Sequence, residues 1–352
     1  MPNCTPNINI VYDGSNPLSL PTSVNGVSLP LYSFHANQQY CTKYGQTQKF
    51  DIILPENSGD NCPLVIYIHG GGFFGNNKNS AYSSSIKKKA ISYLLGSGIA
   101  FASINYYLLK KIYEPVGIVK SLYDCVSALQ HFRNWSNQYR LDPNKIGLVG
   151  SSAGAGTALW IGFHKEMRDQ FNPEPIYQQS TRVKAVVALN TQATYDLRDW
   201  HSGIFNNNLL EGDVYGLLGG AKLNSYYLVP STFTLPNQIR NFITNYFSTS
   251  LEYKGDDGVN IDMLSLMSKN DPSFWVECLN PDWSLSTNFI LNKMNHHPLH
   301  SEALYNKAIS MTGLGTLDVI ARIPNRYIDN RSIKGYTDGE WYHFIADKLN
   351  SL

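Results

Sequence analysis

The feature that most constrains the fold is a serine held between two glycines directly after a short apolar run. The run is Ile146-Gly147-Leu148-Val149, and Gly150-Ser151-Ser152-Ala153-Gly154 follows it. The run is typical of a buried strand, and the small residues after it predict a turn into a helix that is too tight for larger side chains. Such a turn lifts the serine hydroxyl above the edge of the sheet. Ser152 is therefore the candidate nucleophile; the alternative is a plain turn into a helix.

A second glycine-rich stretch follows another apolar run. Residues 64–68 predict a strand, and His69-Gly70-Gly71-Gly72-Phe73 comes next. Consecutive glycines leave backbone amides uncovered, and such amides can stabilise the negative charge of a tetrahedral intermediate. The expected oxyanion-hole donors are the amides of Gly71 and Gly72, with the amide of Ala153 after the nucleophile. We expect His69 to fix this loop rather than to act as the base. A flexible linker, the alternative, does not usually lie between an apolar strand and an aromatic pair.

With both motifs present, the chain resembles the α/β-hydrolase esterases and lipases that carry His-Gly-Gly-Gly-Phe and Gly-x-Ser-Ala-Gly. That group includes hormone-sensitive-lipase-like enzymes and microbial carbohydrate and feruloyl esterases. The likeness runs from about Phe50 to Asp196, although Tyr107 stands where the family usually has arginine. The resemblance implies an α/β fold, with a mostly parallel central sheet, helices on both faces and an inserted cap. It also implies a catalytic triad in the chain order serine, acid, histidine.

The order of patterns along the chain supports this fold class, because apolar strands alternate with amphipathic helical segments. Predicted strands cover residues 64–68, 99–104, 146–149, 183–189, 274–279 and 317–321, and predicted helices include residues 122–132 and 339–350. We divide the chain into an N-terminal extension (1–49), a core (50–196 and 271–352) and a cap or lid (197–270). The cap is rich in glycine, asparagine and tyrosine. Its aromatic residues either line a substrate pocket or attach the cap to the core: Trp200, Phe205, Tyr215, Tyr226 and Tyr227.

Asp282 is the expected catalytic acid. It follows the predicted strand 274–279, where a carboxylate could orient an imidazole and stabilise its charged form. The alternative role is a turn-forming residue after Pro281. Asp271 lies before that strand, at the wrong end. Asp256 and Asp257 belong to a glycine-flanked loop and are expected to face solvent.

The catalytic base is where the sequence departs from the family, because residues 323–332 after the last predicted strand contain no histidine. The cluster His296-His297-Pro298-Leu299-His300 offers a substitute. We expect His297 to be the base, since the residue before a proline is extended and could aim its side chain toward Asp282. If this cluster does not supply the base, the next candidates are His201, His343 and a residue in the loop at Arg326-Tyr327. Three histidines can also mark a metal site, but no carboxylate or cysteine is spaced to complete one, and we expect no metal.

The missing histidine leaves two interpretations of function. The first is a serine-dependent carboxylic ester hydrolase that acts through an acyl-enzyme on Ser152 and needs no cofactor. Its substrate would be a small or polymer-attached ester: a short-chain acyl ester, an acetylated or feruloylated polysaccharide, or an aromatic polyester. The second is a ligand-binding protein that has lost hydrolysis, as in the gibberellin receptors that resemble these esterases. The two intact motifs favour the enzyme, because a binding protein gains nothing from a strained serine turn.

Composition excludes some partners and leaves localisation open. The formal net charge of +1 over 352 residues gives no electrostatic reason to expect nucleic acid, and no apolar run approaches the ~18 residues of a membrane span. The sequence shows no signal peptide, yet its low charged content of 16% favours an extracellular or periplasmic protein whose leader is absent; the alternative is cytoplasmic. Cys4 and Cys41 could pair if the protein is exported, whereas Cys125 and Cys278 are expected to be buried thiols. The oligomeric state does not follow from the sequence.

Overall fold

A nine-stranded, mostly parallel sheet forms the centre of the molecule. The computed structural model describes residues 5–6, 8–42, 47–109, 118–196, 200–205, 260–280, 294–311, 318–324, 326–329 and 340–351. The strands are β1 (Ser23–Val24), β2 (Val27–Ser28), β3 (Tyr32–Cys41), β4 (Thr47–Pro55), β5 (Cys62–Ile68), β6 (Ala100–Ile104), β7 (Leu141–Ser151), β8 (Ala185–Leu189), β9 (Ser273–Glu277), β10 (Val319–Ile323) and β11 (Arg326–Asp329). All but β1 and β2, which pair with each other, belong to the large sheet.

The strand order of the large sheet is β11-β10-β9-β8-β7-β5-β6-β4-β3. The six strands from β10 to β6 are mutually parallel. The outer strands run antiparallel, since β4 pairs antiparallel with both β6 and β3, and β11 pairs antiparallel with β10. Because parallel strands end at the same edge of a sheet, the loops after β5, β7, β8 and β9 meet at one edge. The expectation of a mostly parallel α/β sheet is confirmed.

Helices cover both faces of this sheet. They are α1 (Ser85–Gly96), α2 (Val119–Asn134), α3 (Ala153–Phe163), α4 (Met263–Leu266), α5 (Pro298–Ser310) and α6 (Trp341–Asn350), with short 3₁₀ turns at Glu56–Ser58, Lys78–Tyr82 and Pro175–Gln178 and a π turn at Trp200–Ile204. Successive residues of β5 face opposite sides, as the pleat of a strand requires. Ile66 belongs to the apolar core beneath α2 and α3, and Val65 to the core beneath α1 and α6.

Helix α3, which follows the Ser152 turn, is buried along its whole length. A helix surrounded by protein on all sides must be apolar all round, which explains its small and apolar composition. The space beside it is tight: a Cβ on Gly156 would lie 2.4 Å from Oη of Tyr195. That tyrosine donates a hydrogen bond to the carbonyl of Ala153 (2.6 Å). The start of α3 is therefore held firmly against the segment that follows β8.

The structure describes parts of the predicted N-terminal extension and of the predicted cap. Tyr32–Cys41, inside the segment expected to be an N-terminal extension, is the edge strand β3 of the sheet. Of the expected cap, the structure describes residues 200–205 and 260–270, so the cap stays a prediction. Cys41 is disulfide-bonded, whereas Cys62, Cys125 and Cys278 are buried free thiols; Cys4 lies outside the described residues. Within the ranges given above, no helix has the length and apolar character to cross a membrane.

Candidate active site

Ser152 lies at the sharp turn between β7 and α3. Its φ of 54° and ψ of −121° are disfavoured for any residue with a Cβ, so the surrounding structure must hold it there. The amide of Ser152 donates to the carbonyl of Leu189 at the end of β8 (2.9 Å). Its carbonyl accepts hydrogen bonds from the amides of Ala155 (2.9 Å) and Gly156 (3.1 Å). The turn is therefore fixed on both sides of the serine.

Both glycines of the motif are required by close backbone contacts. A Cβ on Gly150 would lie 2.1 Å from the carbonyl oxygen of Gly154. A Cβ on Gly154 would lie 2.1 Å from the carbonyl oxygen of Ile68, at the end of β5. Neither distance is possible for a real side chain, so the pattern Gly-x-Ser-x-Gly is a steric requirement of this turn. The predicted tight turn is confirmed.

The glycine-rich loop after β5 packs directly against this turn. A Cβ on Gly70 would lie 2.7 Å from the carbonyl oxygen of Ser151 and 3.0 Å from Cβ of Ser152. Gly71 and Gly72 then follow with φ values of 114° and 60°, a conformation that glycine adopts at little cost. The three expected oxyanion donors thus belong to two segments in direct contact. Ala153 opens α3, where the first amides of a helix have no intrahelical acceptor.

His69 serves as a structural residue of this loop. Its ring is 1% exposed and stacks on Tyr106, with ring centroids 4.2 Å apart. Its Nδ1 donates to the carbonyl of Gly70 (2.7 Å), and Oη of Tyr106 donates to the carbonyl of His69 (2.8 Å). Burial lowers the pKa of His69 to about 4. A neutral imidazole fixed in this way shapes the loop, as the sequence predicted.

His296 is the histidine that the structure brings to the serine. Its Nε2 lies 2.7 Å from Oγ of Ser152, a normal hydrogen-bond distance for a serine and its general base. Both side chains are partly exposed to solvent. His296 lies in the turn between residues 294–295 and the start of α5.

The expectation that His297 faces the serine is corrected by this geometry. His297 is extended, with φ of −78° and ψ of 140°, as a residue before proline should be. Its buried ring turns toward its own helix, however, where Nδ1 accepts from the amide of Leu299 (3.2 Å) and caps α5. The same ring packs edge-on against Phe205, with centroids 5.6 Å apart. The two adjacent histidines therefore differ in role: His296 contacts Ser152, and His297 caps α5.

His300, the third histidine of the cluster, connects two backbone segments. Its Nδ1 accepts from the amide of Ala193 (3.2 Å), and its Nε2 donates to the carbonyl of Met294 (2.9 Å). The ring is fully buried and packs against Trp200 and Phe205. Burial lowers its pKa to about 3. The three histidines therefore hold three different positions and make three different sets of contacts.

The expected acid, Asp282, lies outside the described residues, as do Asp256 and Asp257. The structure describes the residues just before it up to Asn280. Sγ of Cys278 (3.0 Å) and Nδ2 of Asn280 (3.1 Å) both donate to the carbonyl of His296. These contacts had no signal in the sequence, since they depend on the fold of a loop. Asp271 accepts hydrogen bonds from the amide and hydroxyl of Ser268 at the opposite end of β9.

The remaining candidates fall into two groups. His343 lies on α6, and its ring packs against Tyr93 (4.5 Å between centroids). Helix α6 covers the sheet face opposite to that of α2 and α3. Trp200 and Phe205 are buried beside His300, which matches the interpretation of cap residues that attach to the core. The side chain of His201 and residues Tyr215, Tyr226 and Tyr227 lie outside the described part of the chain.

Comparison with known proteins agrees with this architecture. The family model BD-FAE matches residues 50–233, slightly more than half of the chain. A protein of Acanthamoeba polyphaga mimivirus, R526, provisionally assigned as an alpha/beta hydrolase, is 30% identical over 155 residues, which are 43% of this chain and 41% of that protein. The chain therefore matches well under two thirds of that relative's length.

Two solved structures show the same fold at low sequence identity. A bifunctional GH43-CE protein of Bacteroides eggerthii superimposes with a TM-score of 0.56 and 19% identity, covering 90% of this chain and 38% of that one. A truncated carbohydrate esterase from gut microbiota gives a TM-score of 0.55 and 16% identity, covering 91% and 97%. With the sheet, the serine turn and the family match together, the chain belongs to the BD-FAE family and has the α/β-hydrolase fold.

Proposed function

We propose that the protein is a serine-dependent carboxylic ester hydrolase with Ser152 as nucleophile and His296 as general base. One observation carries the proposal: Nε2 of His296 lies 2.7 Å from Oγ of a serine whose backbone is held at a φ of 54°. A serine hydroxyl is a weak nucleophile until a neighbouring base takes its proton. The strained turn and the imidazole together provide the two requirements, exposure and activation.

The reaction follows from these two groups. As Oγ of Ser152 attacks the ester carbonyl, its proton passes to Nε2 of His296 and a tetrahedral intermediate forms. The intermediate collapses, the ester C–O bond breaks, and the leaving alkoxide takes that proton and departs as the alcohol. Water then attacks the acyl-enzyme, with His296 accepting one proton and returning it to Oγ of Ser152. The carboxylic acid leaves and the enzyme is restored.

The amides of Gly71, Gly72 and Ala153 are the proposed oxyanion donors. Support comes from the packing of the glycine loop on the serine turn, where Gly70 leaves no room for a Cβ beside Ser151 and Ser152. Amides fixed in advance stabilise the developing negative charge without reorganising during the reaction. Each such donor contributes about 3 kcal/mol to transition-state stabilisation in serine hydrolases.

Asp282 remains the proposed acid, with His296 in place of His297 as its partner. Its support is the location of two residues that precede it in the chain: Cys278 and Asn280 both donate hydrogen bonds to the backbone of His296. A carboxylate at that position would hold the imidazole in the tautomer that accepts a proton at Nε2. The alternative, a binding protein without hydrolysis, was suggested by the absence of a histidine after the last predicted strand. The distance between His296 and Ser152 supports the hydrolase instead.

Substitution of the serine tests the proposal directly. We expect Ser152→Ala to lower the turnover of a chromogenic short-chain ester by a factor on the order of 10⁴ or more, because the nucleophile is lost. The matched control is Ser151→Ala. Ser151 pairs with Leu189 at the end of β7, and this variant should keep most of the activity. Full turnover in Ser152→Ala would overturn the assignment of the nucleophile.

Covalent labelling tests activation separately from substrate choice. An active-site phosphonate should modify Ser152 in the wild-type protein and lose its target in Ser152→Ala, as detected by intact-protein mass spectrometry. Labelling should also slow strongly in His296→Ala, because the hydroxyl is then no longer activated. Absence of labelling in the wild type, together with saturable binding of an ester that stays intact, would support a binding protein instead.

A further inference from the structure

The turn that carries His296 has an unusual set of backbone contacts. Three consecutive carbonyls, those of residues 294, 295 and 296, each accept a hydrogen bond from a side chain. The donors are Nε2 of His300 to Met294 (2.9 Å), the side-chain amide of Gln192 to Asn295 (2.6 Å), and Asn280 (3.1 Å) with Cys278 (3.0 Å) to His296. Residues 294 and 295 are helical and residue 296 is a turn, so these carbonyls lie at the end of a helix, where no amide of the same helix can reach them. The side chains supply the missing donors.

Three of the donors come from the ends of central strands, and Cys278 directly follows β9. Gln192 follows β8 and is 6% exposed, and Asn280 follows β9 and is partly buried. The end of β8 also holds the nucleophile, since the carbonyl of Leu189 accepts from the amide of Ser152. One segment of four residues, from Leu189 to Gln192, therefore links the backbone of the nucleophile to the backbone of the base.

We propose that Gln192 and Asn280 are positioning residues, which hold the turn of residues 294–296 so that Nε2 of His296 stays within reach of Ser152. This inference rests on the proposed function. The base directly follows the helical residues 294 and 295. The last carbonyls of a helix have no amide partner within the helix, and the two amide side chains hold these carbonyls from the neighbouring strand ends. A misplacement of about 1 Å in a catalytic group can lower the rate by about 100-fold.

The kinetic test uses Gln192→Ala, Asn280→Ala and the double variant. We expect kcat for a chromogenic short-chain ester to fall about 10- to 100-fold in each single variant with KM little changed, because the base is displaced while the substrate pocket is kept. The two losses should combine non-additively, since both side chains hold the same turn. Asn280→Asp keeps the size of the side chain but replaces the donor with an acceptor, and it should lose kcat as well.

The matched control is Gln130→Ala. Gln130 is likewise buried, and its side-chain amide donates to the carbonyls of Tyr177 (3.2 Å) and Gln179 (2.9 Å). It lies on α2 and anchors a turn that takes no part in the proposed mechanism. This variant should keep the wild-type kcat even if its thermal stability falls. Thermal unfolding of all variants shows which of them are folded at the assay temperature.

A second measurement reports on the position of His296 without relying on catalysis. In protein labelled with ¹³C-histidine, the ring Cε1–H signal of His296 is identified by its loss in His296→Gln. We expect this signal to shift and broaden in Asn280→Ala and Gln192→Ala, and to stay in place in Gln130→Ala. Signal changes together with lower kcat would support the inference.

The two proposals fail in distinguishable ways. If the wild type hydrolyses esters while Gln192→Ala and Asn280→Ala keep its kcat and an unchanged His296 signal, the positioning role is wrong. If the wild type hydrolyses no ester and resists phosphonate labelling while the His296 signal still moves in both variants, the hydrolase function is wrong and the structural link from the two amides to His296 stands.

Discussion

At the scale of single residues, Ser152 combines a strained backbone with a hydroxyl that lies beside an imidazole. A non-glycine residue with φ of 54° and ψ of −121° stores roughly 1–3 kcal/mol of backbone strain. The contacts with Leu189, Ala155 and Gly156 maintain that conformation. The benefit is the location of Oγ, which lies 2.7 Å from Nε2 of His296. Strain of this kind is expected where it exposes a reacting atom.

The strain makes a prediction that separates stability from activity. Ser152→Gly and Ser152→Ala should both be inactive, but Ser152→Gly should have the higher melting temperature, because glycine adopts this φ without a Cβ clash. We expect a difference of about 1 kcal/mol in the free energy of unfolding. Thermal or urea unfolding measures it. Equal or lower stability of Ser152→Gly would show that the turn is not strained.

Residue identity in this site could be predicted only where the backbone dictates it. Gly150 and Gly154 follow from the steric rules of one tight turn, and they mark Ser152 between them, so a short pattern sufficed to find all three. The choice between His296 and His297 depended on which of the two adjacent side chains caps α5 and which contacts Ser152. Pro298 restricts the backbone of His297 to the extended conformation that is observed, but it does not fix the direction of the His297 ring.

At the scale of elements, the site is a contact between two loops, one after β5 and one after β7. Gly70 lies at this contact, where a Cβ would be 2.7 Å from the carbonyl oxygen of Ser151. We expect Gly70→Ala to lower kcat by roughly 100-fold or more, because the new methyl group would push the oxyanion loop away from the serine turn. Initial rates with a chromogenic ester, at saturating substrate, measure the effect.

Gly75→Ala is the control for this prediction, since it lies in the same loop region but a Cβ there would meet no atom within 4 Å. It should keep the wild-type turnover. If Gly70→Ala retains the kcat of Gly75→Ala, the loop can move without loss of function, and its role in holding the oxyanion would be contradicted.

The buried parallel strands were predictable, whereas β4, which is buried from Phe50 to Pro55, and the edge strand β3 were not. The parallel strands β5 to β10 are buried on both faces and read as apolar runs, so their existence was clear from the sequence, although their ends differ by several residues. The edge strand β3, Tyr32–Cys41, alternates irregularly and has a register shift between His35 and Gln38. A solvated edge strand carries little apolar pattern, and it went unpredicted for that reason.

At the scale of the whole molecule, buried histidines make stability depend on pH. Burial lowers the pKa of His69 to about 4 and the pKa of both His131 and His300 to about 3. The unfolded chain, with a histidine pKa of ~6.5, binds protons more readily than the fold does. These groups therefore contribute their full stability above pH ~6.5 and lose it as the pH falls toward their folded values, by about 1.4 kcal/mol per unit for each group.

His131→Gln tests this account away from the candidate site. His131 is fully buried among Tyr40, Phe50 and Tyr139, on the α2 side of the sheet. The variant should show a shallower loss of unfolding free energy between pH 6 and pH 4 than the wild type, by about 1 kcal/mol per unit. Urea unfolding at a series of pH values measures both slopes. Identical slopes would mean that His131 does not resist protonation in the fold.

The most direct test of the central claim is the turnover of His296→Ala beside that of His297→Ala. His296→Ala should lose activity to the same extent as Ser152→Ala, on the order of 10⁴-fold, and the double variant Ser152→Ala/His296→Ala should be no worse, because the two groups act as a unit. His297→Ala should lose about 1 kcal/mol of stability, through the missing cap of α5, and keep most of its kcat. The opposite pattern, with His297→Ala inactive and His296→Ala active, would contradict the account.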